Sequence, residues 1–391
     1  MIRIDIKAGL MIMDGNNKDK SFWLAVFSLV GTTIGAGIFS LPYVFAKAGF
    51  FVGLAEFVVL VFIILLIQQI FGEIALRTEG HKRLVGLASS YLNRPLRILV
   101  ATSVFLGGIG TLLIYIIFGG KFLSLITGQS LFWGSITFFI FWFLAVLARP
   151  KTFGKTEFYI SSLVIFIIIL ISLFNFRYVN FNNFISGFDI KNILLPYGVI
   201  LFAMTGYTVI PKMEDLLGAG KHRLKKAIKY GTLIPAIVYL MFVFIILGVS
   251  GQLTSSDAIF GFSRALNSGF IMFLGAILGL LAVTEAALSF GVYFRETLWY
   301  DLKLNKKLAW ALTGLIPLSL FLLGARNVIP VISIVGALFF GFQAIIILMI
   351  HKKAKNSKIE PAYKICLPNA LYYIIGAVVS LGAILEIWFS L

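Results

Sequence analysis

The chain has 391 residues, 60% of them hydrophobic and only 13% charged, about half the charged share of a soluble domain. So apolar a chain cannot cover its interior in water, which excludes an ordinary soluble enzyme and a disordered protein; the lone Cys366 excludes an intrachain disulfide scaffold. The balance of 33 Lys and Arg against 16 Asp and Glu gives a net charge of +17, a nucleic-acid signature in a soluble protein that here must be read by position.

Residues 1–20 carry Asp5, Asp14 and Asp19 among the basic residues and lack a long apolar core. They read as a cytoplasmic tail, not a cleavable signal peptide. Apolar blocks of about 20 residues follow, the length at which a helix crosses a bilayer. Eleven spans are expected, at 22–44, 49–76, 97–126, 131–148, 157–176, 192–212, 228–250, 268–296, 308–324, 328–350 and 370–390. The gaps between them leave no room for a soluble domain. The fold class is therefore all-α and integral to the membrane.

Orientation follows from the basic residues. With the N-terminus in the cytoplasm, the inside segments hold 27 of the 33 Lys and Arg, and the outside keeps Lys47, Lys121, Arg177, Lys191, Arg264 and Arg326. This is a strong positive-inside signal, and it places the C-terminus at Leu391 outside. His81, His222 and His351 sit in basic stretches between apolar blocks and read as solvated loop residues.

Span 1 contains Gly31-Thr32-Thr33-Ile34-Gly35-Ala36-Gly37, with Pro42 beyond it. Glycine adds backbone freedom and proline removes a donor, so this helix is weakened at mid-membrane. Span 6 contains Phe202-Ala203-Met204-Thr205-Gly206-Tyr207-Thr208 between Pro196 and Pro211. Close packing through small residues is the plain reading of each. The two breaks, however, open span 1 and span 6, five spans apart, so the second set runs inverted. Interrupted helices in matching positions of two inverted halves point to a transport site at the midplane. Amides at a half-helix N-terminus hold a carboxylate, and freed carbonyls at the opposing end hold a cation.

Gly31 to Tyr43, GTTIGAGIFSLPY, resembles the first-helix signature of the amino acid/polyamine/organocation superfamily, and within it the aromatic and hydroxy amino acid permease branch. Glu73 to Thr78 resembles the end of that family's second helix, Leu201 to Pro211 its sixth, and Lys225 to Gly251 its seventh with the preceding basic loop. The resemblance runs nearly the whole chain. It implies a LeuT-type fold with a 5+5 inverted repeat: tail 1–20, first repeat 21–180, second repeat 190–350, cytoplasmic loop 351–369 and a final helix 370–391. It also implies ion-coupled uptake of an amino acid, aromatic or otherwise neutral. By position, the substrate site would comprise Thr32, Thr33, Gly35, Ala36 and Gly37 on helix 1, and Phe202, Ala203, Thr205, Gly206 and Tyr207 on helix 6. Tyr115 on helix 3 is the candidate aromatic hydroxyl, with ordinary packing as its alternative.

Ionisable groups inside spans are expensive and are functional hypotheses by default. Glu73, with Arg77 at i+4, reads as an ion pair at a helix end. Glu56 fits either a gate pair or a wet edge, and Glu386 is expected to reach water near the outer end of helix 11. Glu285 sits midway along helix 8 among small residues, where relatives resembling this chain carry hydroxyls for sodium. Burial in a dry bundle favours the neutral, proton-carrying carboxyl. The coupling ion is thus H+ carried by Glu285, or Na+ held by Gly31, Ile34, Thr284 and Glu285; a structural hydrogen bond is the third reading.

Other signals carry less. Gly154-Lys155-Thr156 resembles the tail of a phosphate loop, but Arg149 stands where that loop needs glycine. The 39 phenylalanines read as bilayer packing. The basic run from Lys221 to Lys229 reads as an orientation signal before an anionic-lipid contact. The expectation is a multi-pass carrier in a prokaryotic plasma membrane, with membrane lipid and a small amino acid as its partners. No cofactor, resident metal, nucleic acid or catalytic residue is expected. A sensor that kept the site but lost transport is the alternative. An intramembrane enzyme lacks the His or Asp pair that it needs in the spans.

Overall fold

The computed structural model describes residues 18–80, 82–148, 153–185 and 189–390. Arg3 and Lys7 of the tail, His81, Arg149 and Lys151, and Leu391 lie outside them. Among the described residues the secondary structure is entirely helical.

The first span is two helices, α1 (Lys18–Thr33) and α2 (Gly37–Ala48), bent by 53° at the glycine-threonine break. Gly49, at φ 94°, turns the chain directly into α3 (Phe50–Leu76); a left-handed residue so placed must be glycine to avoid strain. A short α4 (Leu84–Tyr91) leads to α5 (Arg94–Thr127), then α6 (Leu131–Ala148) and α7 (Phe153–Asn175). The sixth span is again divided, into α8 (Leu195–Met204) and α9 (Ile210–Leu217), separated by Thr205, Gly206 and a 3-10 turn. Then come α10 (Leu224–Ser250), the short α11 (Ile259–Ala265), α12 (Gly269–Glu296) and α13 (Lys306–Leu322). The tenth span is α14 (Val328–Ile334), a π turn and α15 (Gly341–Ala354), and α16 (Asn369–Ser390) follows last.

Each of the eleven expected spans coincides with a helix or a helix pair. By length and apolarity, seven described segments suffice to cross a membrane, eight when α1 and α2 count as one span. One of these is the run Ile190–Leu253, which holds α8, α9 and α10.

The broken helices lie inside the bundle. α1 and α2 pack against α7, α8, α10 and α12, and the long α5 packs against α6, α12 and α13. Small residues permit the close approaches. A Cβ on Gly336, in the π turn, would lie 1.8 Å from the Gly198 carbonyl oxygen, and one on Gly37 would lie 2.5 Å from the Ala203 Cα. The periphery is apolar: Phe51, Phe62, Trp133, Phe141, Phe174 and Trp388 are exposed, a surface that only lipid would solvate.

Candidate functional site

The breaks in spans 1 and 6 face each other. Where each helix stops, its last carbonyls lose their i+4 amide partners, and in an apolar bundle each must find another. Tyr239 of α10 stands between the two breaks: its hydroxyl, with one hydrogen to give, lies 2.5 Å from the Thr33 carbonyl oxygen and 3.2 Å from that of Ala203. Gln68 of α3 donates to the Met204 carbonyl at 3.1 Å and is itself fixed by Thr232, 2.7 Å away. Neither Tyr239 nor Gln68 was named from the sequence, where Tyr239 is one polar residue in an apolar run and Gln68 is half of a Gln68-Gln69 pair. The signal available was that both lie in spans without an obvious partner.

A small cavity opens between the breaks. Nine of the eleven expected substrate residues line it: Thr32, Thr33, Gly35, Ala36, Gly37, Tyr115, Phe202, Ala203 and Thr205. Thr111, Thr208, Phe290 and Phe340, which the sequence did not single out, complete the lining. Gly206 and Tyr207 fall outside it. Gly206 makes room instead: a Cβ there would lie 2.7 Å from Thr33 Oγ1 and 2.5 Å from Leu29 Cδ1. The Tyr207 hydroxyl turns away and donates to Gln343, and Tyr207 lines a second, mainly apolar cavity with Gln68 and Ile67.

The chemistry of the main cavity is narrow. None of its lining residues is charged. Its polar groups are helix ends and hydroxyls. The Thr33 hydroxyl is buried without a partner among the described residues, whereas Thr32 bonds the Ser28 carbonyl at 2.9 Å and Thr205 bonds that of Leu201 at 2.6 Å. The walls are aromatic: Phe202 and Phe340 stack at 6.0 Å, and Tyr115 meets Phe290 edge-on at 6.3 Å. The start of α2, at Gly37, and the end of α8, at Ala203, meet at this cavity.

Glu285 lies beside the cavity on α12, only 4% exposed. Its Oε1 is 2.6 Å from Ser161 Oγ of α7. Both press on α1 at Gly31, where a Cβ would lie 2.1 Å from Glu285 Oε1 and 2.4 Å from Ser161 Oγ. Thr284 does not join them: its hydroxyl turns back to the Leu280 carbonyl at 2.6 Å. The α12 hydroxyl that reaches α1 is Ser289, 3.1 Å from Thr32 Oγ1. Ser289 lies four residues beyond Glu285, on the same face of α12. Ile34 is buried in the break itself.

Two further expectations need correction. His351 is fully buried, with Nε2 3.1 Å from Glu73 Oε2 and Nδ1 2.6 Å from the Tyr372 hydroxyl. The loop after α15 folds back over it, so a basic neighbourhood did not mean a wet one. Glu386 is likewise buried, accepting the Gly198 amide hydrogen at 2.7 Å; α16 docks this carboxyl on the first turn of α8. The expected Glu73–Arg77 pair is present at 2.9 Å, and His222 is exposed. Glu56 is half-buried, with Oε2 enclosed and unpartnered among the described residues.

A tryptophan/tyrosine permease family profile matches residues 18–388, nearly the whole chain. The chain belongs to the tryptophan/tyrosine permease family. This agrees with the resemblance drawn from Gly31 to Tyr43 and narrows it to the aromatic branch. The permease shares its fold with MhsT, solved in complex with L-phenylalanine, at 15% identity and a TM-score of 0.66, covering 95% of this chain and 98% of that one. It also shares it with the Eremococcus coleocola manganese transporter, solved with an aromatic bis-isothiourea substituted compound, at 13% identity and a TM-score of 0.71, covering 96% and 88%. At such identities the likeness concerns the fold alone, which is of the LeuT type. No curated relative matches the permease by sequence. It is a multi-pass membrane transporter, not an enzyme.

Proposed function

We propose that this permease is a proton-coupled importer of an aromatic amino acid, working by alternating access across eleven spans with the N-terminus in the cytoplasm. Helices 1, 2, 6 and 7 rock against helices 3, 4, 8 and 9, and substrate and proton bias the inward- and outward-open states. The substrate's α-carboxylate takes the amides at the start of α2, its ammonium takes the carbonyl end of α8 with the Thr33 hydroxyl nearby, and its ring lies between Phe202, Phe340 and Phe290. A site without charged side chains, closed by two opposed helix ends, suits a zwitterion with an apolar ring. The name of the family supports the ring.

One observation carries the proton. Ser161 owns a single hydroxyl hydrogen and faces two oxygens, the Glu157 carbonyl at 2.7 Å and Glu285 Oε1 at 2.6 Å. The carbonyl only accepts. A protonated Glu285 supplies the missing hydrogen: it donates to Ser161, and Ser161 donates to the carbonyl. An ionised Glu285 would leave one of the two short contacts without a hydrogen, in a site with little water.

Reconstitution into proteoliposomes tests both parts. Labelled L-tryptophan or L-tyrosine is expected to exchange in counterflow; binding without exchange would establish the sensor reading instead. At one proton per substrate, a one-unit inward pH gradient drives at most about tenfold accumulation, since one unit is about 1.36 kcal/mol. Glu285→Gln is expected to exchange label but to accumulate none. Wild-type accumulation by that variant would sink the proton assignment, and accumulation that follows a sodium gradient would replace it with sodium.

A further inference from the structure

We propose that Glu157 is a second station for the coupling proton, and that Lys212, on the half of helix 6 beyond its break, sets when that station fills. The proposal rests on the reading that Glu285 carries the proton.

Glu157 projects from α7 into the interior and is only 3% exposed. Its Oε2 is 2.6 Å from Lys212 Nζ of α9 and accepts the Ser28 hydroxyl of α1 at 3.1 Å. Its Oε1 is enclosed and has no partner among the described residues. The Lys212 side chain is 35% exposed, so the pair has one dry side and one wet side. Along α7 the next turn is Ser161, which bonds the Glu157 carbonyl and touches Glu285. One turn is about 5.4 Å of rise. The two carboxyls are thus successive groups on one line, at the junction of α1, α7, α9 and α12.

The charged groups facing Glu157 are few. Lys212 faces it from α9 and Glu285 from α12, while α1 presents Ser28. Glu214 of α9 is engaged by Lys221, and Lys225, Lys226 and Lys229 of α10 are exposed. Lys212 is therefore the cation that pairs with Glu157.

A buried carboxylate that loses its cation is strongly disfavoured and is relieved by taking up a proton. α9 follows the Thr205-Gly206 break, so α9 can swing while α8 stays. When it does, Lys212 leaves Glu157. The Ser161 hydroxyl turns from the Glu157 main-chain carbonyl, passes its hydrogen to the Glu157 carboxylate and takes the proton of Glu285. Two O–H bonds break, on Glu285 and Ser161, and two form, on Ser161 and Glu157, and the negative charge moves from Glu157 to Glu285. When α9 returns, Lys212 displaces the proton toward its own exposed side. Movement of helix 6 and passage of the proton become one event, which is what coupling requires.

The test uses the full chain in proteoliposomes with labelled L-tryptophan and L-tyrosine. Glu157→Gln is expected to exchange label within about threefold of the parent, because it touches no cavity residue, and to lose accumulation under a pH gradient. Glu157→Asp is expected to recover part of that accumulation. Parental accumulation by Glu157→Gln overturns the proposal. Glu285→Gln, run in parallel, separates the two ideas: if it too accumulates like the parent, the proton reading itself fails, whereas if it alone is uncoupled, only the second station fails. Where Glu157→Gln binds neither amino acid in a thermal-shift assay, Lys212→Met decides. It is expected to acidify the vesicle interior under an inward proton gradient without any amino acid, and vesicles that stay tight overturn the proposal.

Discussion

Tyr239 shows how one side chain can hold a site open. A helix broken in lipid strands its carbonyls, and the Tyr239 hydroxyl sits between the stranded carbonyls of Thr33 and Ala203. Thr33 and Gly206 then divide the remaining space, the hydroxyl of one occupying the volume that a side chain on the other would fill. Removing a donor from a buried acceptor costs about 1–3 kcal/mol. Tyr239→Phe is accordingly expected to lower detergent-phase stability by about that amount, and to weaken binding of labelled L-tryptophan, because both halves of the cavity relax. Thermal unfolding with and without amino acid measures the two effects; an unchanged melting temperature would show that other groups satisfy those carbonyls.

Helix ends away from the cavity are tied by buried charge. Glu73 closes α3 by pairing with Arg77 at 2.9 Å, approaches His351 at the end of α15, and accepts the Ile365 amide hydrogen at 2.5 Å. Tyr363, from the same loop, donates to the Gln69 carbonyl at 2.6 Å; burial and the neighbouring Glu73 and Glu214 hold its phenol well above the usual range, so it stays a donor. The connection between α15 and α16 is therefore fastened to α3. Removing one member of such a buried cluster typically costs about 3–5 kcal/mol. Glu73→Ala is expected to lose about that much and to render the segment after Ala354 sensitive to limited proteolysis, while Glu79→Ala, at the neighbouring turn, serves as the unaffected control. Equal proteolysis of both would show that the loop is held by its apolar contacts instead.

The assembled bundle turns composition into orientation. Its outside is apolar and exposed, and the proposed topology gathers most of its basic residues at the cytoplasmic helix ends. Cys366, the single cysteine, is exposed in the segment between α15 and α16. The proposed topology places that segment in the cytoplasm. A membrane-impermeant maleimide should leave the permease unlabelled in intact cells and label it after permeabilisation. Labelling of intact cells would invert the orientation and, with it, the direction in which Lys212 faces water.

Length, composition and the placement of charge determined much by themselves, because bilayer thickness fixes helix length and backbone satisfaction in lipid forbids other structures. That is why all eleven expected segments coincide with helices, and why the two glycine-threonine breaks could be read as sites before their neighbours were known. What spacing cannot convey is rotation. On α12 it is Ser289, not Thr284, whose hydroxyl faces α1. Gly206 and Tyr207 were assigned to a cavity they support but do not line. His351 and Glu386 were expected to be wet and are buried. Partners from distant spans, such as Tyr239, Gln68, Phe340 and the Glu157–Lys212 pair, become visible only when α3, α7, α9, α10 and the tenth span are packed together. A membrane helix is apolar on nearly every face, so its sequence carries little amphipathic signal to say which face turns inward; packing against its neighbours makes that choice.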